Sequence, residues 1–139
     1  MRWIFLVLWA AVFLLMTALL ADESAPLLPP GAVRMSPPEE YRKWFARTEV
    51  CAERLGHFEN IEWYVVPGEK FDAEGPRLGM WAQAEWRLWR VRREVIVLAG
   101  AARTTEWMVR HEMLHSILGH TGHPAEYFVD RCHLTWGNQ

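Results

Sequence analysis

The stretch from Glu94 to Gly119 constrains the fold of this 139-residue chain more than any other. Glu94-Val95-Ile96-Val97-Leu98-Ala99 is apolar and β-branched, and Gly100 stops it, which predicts a strand. Thr104 or Thr105 can cap the helix that follows. Glu106 falls in its first turn, where a carboxylate meets the positive end of the helix dipole. Trp107, Met108, His111, Leu114, His115 and Leu118 run through that helix, and Gly119 ends it. A strand followed at once by a histidine-bearing helix points to a helix laid on a sheet.

The rest of the chain completes an α+β reading with one domain over residues 36–139. Ser36-Pro37-Pro38-Glu39 has a capping-box pattern with proline at the first helical position. Tyr41, Trp44, Phe45, Thr48, Cys51, Ala52 and Leu55 then form a 3.6-residue stripe, with Gly56 as the stop. Ile61–Val66 is a strand, ended by Pro67 and Gly68, and residues 69–76 are a charged loop. Leu78–Ala84 and Trp86–Val91 are further strands, and a hairpin at Arg92-Arg93 joins the last of these to Glu94–Ala99. The expected architecture is an N-terminal helix, a small and mostly antiparallel sheet, the histidine helix and a short C-terminal segment.

The N-terminus carries a targeting signal. Trp3–Ala21 is apolar apart from Thr17, and Arg2 is the only charge before it. This is either a signal peptide cut after Ala21 or an uncleaved membrane anchor, and either form exports the remainder. Leu19 stands where a cleavage site prefers a small residue. Residues 22–35 hold Pro26, Pro29, Pro30 and Gly31 without any period and read as an extended linker.

Export places Cys51 and Cys132, the only two cysteines, in an oxidising compartment, so a disulfide between them is expected. Free thiols or cysteine ligation of a metal are the alternatives. With 15 Lys and Arg against 17 Asp and Glu, no strongly basic nucleic-acid surface is available. Arg87, Arg90 and Arg92 among Trp86 and Trp89 are therefore read as a half-exposed strand with charged edge residues. No nucleic-acid partner is expected, and membrane contact is expected only through residues 1–21.

His111-Glu112-Met113-Leu114-His115 is H-E-x-x-H inside the predicted helix. Residues four apart share a helix face, so both imidazoles can approach one metal ion. Glu112 is rotated about 100° from His111 and can reach a metal-bound water without ligating it. Catalytic zinc takes three protein ligands, leaves the fourth position to water and lowers the pKa of that water to about 7. Glu112 is then the general base that moves the water proton to a leaving amine. His123 is the favoured third ligand, because Gly119 and Gly122 permit a reversal and Pro124 starts a short helix behind it. Glu126, Asp130 and His120 are the alternatives.

These residues resemble the zincins, zinc metallopeptidases with H-E-x-x-H on the active-site helix. The matching segment is Val109–Asp130. It is also similar to the active-site region of small, uncharacterised exported bacterial proteins with H-E-M-L-H, a later H-P pair and a final Cys. The resemblance implies His111 and His115 as zinc ligands, Glu112 as base and a peptide or protein substrate outside the cytoplasm. It further implies a mixed sheet before the helix, with the strand near Gly79–Ala84 as the edge that pairs with an extended substrate. Without turnover, the same site describes an exported zinc-containing binding or scaffold protein.

The chain departs from the named zincin subgroups. The metzincin pattern places glycine three and histidine six residues after the second histidine. Here Gly119, His120 and His123 come at four, five and eight, and no methionine follows Met113. A gluzincin-type ligand from a later helix leaves only Glu126, which is close. Trp81, Trp86, Trp89, Trp107 and Trp136 are read mainly as core, with some able to line an apolar cleft. Tyr127 and His133 are weak candidates for oxyanion stabilisation, and His57 is read as structural.

Overall fold

The computed structural model describes Trp9, residues 28–86 and residues 91–135. Strands β1 (Val33–Arg34), β2 (Ile61–Val66), β5 (Gly79–Trp86) and β6 (Val91–Ala99) form one sheet in the order β1-β2-β6-β5. Pairing is antiparallel for β1 with β2 and for β5 with β6, and parallel for β2 with β6. A separate two-stranded hairpin, β3 (Phe71–Asp72) with β4 (Pro76–Arg77), forms in the stretch expected to be a charged loop and runs one residue past its end. The fold is α+β, and β1 begins inside the stretch read as linker.

Alternation along the strands sorts two cores. On one face Ile61, Trp63, Trp81, Ile96 and Leu98 pack against helix α1 (Glu39–Ala52) and helix α2 (Glu106–Leu118) through Tyr41, Phe45, Val109, Met113 and Leu114. On the other face Tyr64, Val66, Val95, Val97 and Ala99 gather with Phe71 and Ala102. The central strand β6 is apolar on both sides from Val95 to Ala99 because both faces are covered.

Three local expectations are corrected. Helix α1 starts at Glu39 with Pro38 as its cap, and no side chain caps it. A proline disfavours the helical region for the residue before it, so Pro38 keeps Pro37 out of the helix. The helix ends at Glu53 in the left-handed region, so Leu55 lies beyond it and is exposed. Gly56 serves packing instead, since a Cβ there would stand 2.6 Å from Phe45 Cζ and 2.9 Å from Ile117 Cγ1.

The third correction concerns Arg92-Arg93, which are strand residues of β6 and not a turn. β5 and β6 are long partners in register from Gly79↔Leu98 to Trp86↔Val91, and the connection falls in residues 87–90, outside the described residues. Arg93 is held in the strand by a bidentate pair with Glu62 of β2, at 2.6 and 2.8 Å. That cross-strand pair is what a cluster of charges in the sequence conceals.

Candidate metal centre

Helix α2 sets His111 and His115 on one face, both about 95% buried. Gly119 adopts φ +73° and closes the helix with its N–H on the His115 carbonyl. The chain then reverses, and His123 returns to the same face of the helix. His111 Nε2 lies 3.0 Å from His123 Nε2 and 3.3 Å from His115 Nε2. The ligand atoms of all three lie within 4.8 Å of one another. Phe128, in the π-helical turn Glu126–Arg131, packs its ring 4.8–5.0 Å from each imidazole and walls the group from behind.

Backbone carbonyls orient two of the rings. His111 Nδ1 donates to the Leu134 carbonyl at 2.7 Å, and His115 Nδ1 donates to the His120 carbonyl at 3.0 Å. A carbonyl only accepts, so the proton of each neutral ring sits on Nδ1 and the Nε2 lone pair is left free. The two Nε2 atoms, both acceptors at 3.3 Å, cannot bond to each other, and a cation between them satisfies both. Burial pushes the pKa of His115 down to about 4 and lowers those of His111 and His123. The cluster is therefore neutral at pH 7, the form that ligates metal.

Glu112 lies one residue along, on the side of α2 that faces β5. Burial pushes its carboxyl up to about 8, against smaller opposing pulls from the Arg77 charge and the Trp81 backbone. Gly79 makes room for it, because a Cβ at that position would stand 2.7 Å from Glu112 Oε1. Trp81, two residues further along β5, stacks on His115 with ring centroids 6.4 Å apart. His111, Glu112, His115 and His123 open into a cleft of about 510 Å³ whose other wall is the start of β5 and the β3–β4 hairpin. β5 is the last strand of the sheet, so its outer edge has no strand partner among the described residues.

The expected residues divide clearly. His111, His115 and His123 come together and could hold a metal ion. The alternatives do not join them. Glu126 pairs with Arg131 at 2.8 Å, Asp130 is exposed, and His120 contributes its carbonyl to His115 while its ring accepts the Gly122 N–H. The guanidinium groups of Arg54 and Arg131 both lie over the Tyr127 ring, His133 is exposed, and neither Tyr127 nor His133 lines the cleft. Cys51 and Cys132 form the expected disulfide. The backbone carbonyls of Leu134 and His120, Phe128 behind the rings, and Arg77 at the cleft were not expected. An aromatic residue five positions after His123 was the one available signal for Phe128.

Fold and site together define an α+β protein with a three-imidazole group able to hold a metal ion. Comparison with protein-family models, with curated proteins and with solved structures finds no match to this chain. The disulfide is compatible with a location outside the cytoplasm. Among the described residues, no helix is long and apolar enough to cross a membrane. The signal or anchor expected at residues 1–21 lies, Trp9 apart, outside the described residues, as do Trp89 and Trp136.

Proposed function

We propose that this protein is a zinc-dependent peptidase that works outside the cytoplasm. The observation that carries the reading is the convergence of His111, His115 and His123 in one cleft with the buried Glu112 carboxyl. Three neutral nitrogen donors suit zinc. The three ligand nitrogens lie within 4.8 Å of one another, two of the separations being 3.0 and 3.3 Å, close enough for all three to share one ion. Three protein ligands leave a position open, as catalytic zinc sites do.

When bound, zinc supplies Lewis acidity and makes water nucleophilic near neutral pH. The chain's own residues supply the rest. Burial raises the Glu112 carboxyl to about 8 in the metal-free chain, and the positive charge of a bound ion would favour its ionised form. As carboxylate, Glu112 would take a proton from the attacking water and pass it to the leaving amide nitrogen. Leu134 and His120 hold the imidazoles in the ligating tautomer through their carbonyls. The outer edge of β5, which has no strand partner among the described residues, offers backbone N–H and C=O groups to an extended peptide lying in the cleft.

The test is a Glu112→Gln substitution in the full chain, with zinc measured by elemental analysis and cleavage of a peptide library read by mass spectrometry. The expected result is one zinc per chain in both proteins and hydrolysis by the parent alone. One zinc per chain with no hydrolysis by the parent would replace the reading with an exported zinc-binding or scaffold protein. A folded parent that takes up no zinc would overturn the metal site.

A further inference from the structure

Most arginines on the described surface are already engaged. Arg34, Arg42, Arg47, Arg93, Arg110 and Arg131 each pair with a glutamate. Arg77 does not. It ends β4, two residues before Gly79, and lines the cleft beside Lys70. Its Nε donates to the Ala73 carbonyl at 2.7 Å, which fixes the guanidinium against its own hairpin. No ion pair involves Arg77 or Lys70 among the described residues, so the outer guanidinium nitrogens remain as a pre-oriented pair of donors. Glu74 is the one acid at the cleft besides Glu112. Two cations stand against two acids, so a divalent ion held by the neutral imidazoles would leave the cleft net positive and favour an anionic group there.

The position of Arg77 along the cleft gives that anion a place. Gly79 touches Glu112, and Trp81 stacks on His115, so the reacting bond lies beside the first residues of β5. A peptide laid antiparallel on β5, the more stable pairing, runs its C-terminal end towards Gly79 and then Arg77. We propose that Arg77, assisted by Lys70, binds a carboxylate on the C-terminal side of the cleaved bond. The preferred substrates are peptides whose chain terminus, or an Asp or Glu side chain, falls there. This inference rests on the peptidase reading above.

The test uses the full chain loaded with zinc and a randomised octapeptide library made in two forms, free acid and C-terminal amide. Cleavage sites and kcat/KM are read by mass spectrometry for the parent, Arg77→Ala, Arg77→Lys and Lys70→Ala, with zinc content measured alongside. A charge-assisted bidentate contact predicts a preference for carboxylate-bearing peptides on the order of 10–100-fold. That preference should collapse to about one in Arg77→Ala, fall partly in Arg77→Lys and weaken with added salt. Cleavage confined to the free-acid form supports the chain terminus as the source, and cleavage before Asp or Glu in both forms supports the side chain. Cleavage by the parent with no such preference, or a preference that survives Arg77→Ala, overturns the inference and leaves the peptidase reading standing. Absence of cleavage in both library forms, with zinc bound, overturns both.

Discussion

Removal of the Cys51–Cys132 disulfide should cost both stability and metal affinity, through separable routes. The bridge closes a loop with a sequence separation of 81. In the chain-entropy account, a loop of that length is worth about 4–5 kcal/mol. That is a large share of the roughly 5–15 kcal/mol that a domain has in total. The second route is local. Leu134, whose carbonyl orients His111, follows Cys132 by two residues, and Phe128, which touches all three imidazoles, precedes it by four. Releasing Cys132 from α1 loosens both supports, and loss of such outer contacts typically weakens metal binding by about 10–100-fold. The variant is Cys51→Ala with Cys132→Ala. Urea unfolding of the zinc-free proteins reads the first effect, and chelator competition at low temperature, where the variant is folded, reads the second. A stability change under about 1 kcal/mol would refute the loop argument. An unchanged zinc affinity in the folded variant would refute the proposed link from the bridge to His111.

Other consequences concern Glu112 and the histidines. Gly79→Ala should keep zinc but displace the carboxyl that now occupies the space of the added methyl, lowering kcat on the order of 100-fold or more. The accompanying overpacking should destabilise the fold by about 1–3 kcal/mol, and a substitution neutral in both assays would refute the close-contact argument. In the metal-stripped protein the share of stability that depends on His115 should fall as pH falls, because burial lowers its pKa to about 4 while the unfolded chain keeps about 6.5. The raised Glu112 carboxyl, at about 8, acts in the opposite direction, so the His115 share is read against a variant lacking that ring. The His115 contribution is complete above about pH 6.5, where both states are neutral, and is lost as pH falls towards 4. Thermal melts of the stripped protein and of His115→Ala across that window check the sign. A parent-minus-variant difference in stability that does not shrink as pH falls from about 6.5 towards 4 would refute it.

The parts of this protein that follow from periodicity are legible in its sequence, and the parts made by close approach are not. The apolar run Val95–Ala99 and the helix ending at Gly119 stand where their residue patterns place them, since burial on both faces and a left-handed stop each leave a compositional mark. His111 and His115 share a face because helical geometry requires it. His123 was reachable through the glycines that let the chain turn back. Arg92-Arg93 misled because a charge cluster resembles a turn when the partner that neutralises it, Glu62, is 31 residues away from Arg93. The supports of the metal centre leave still less trace. Leu134 and His120 act through carbonyls that any residue carries, and Gly79 acts through an atom it lacks. Such contacts arise only when the edge strand, the helix and the C-terminal segment have packed. The orientation of the imidazoles is therefore a property of the whole fold, although the ligands themselves are written within thirteen residues.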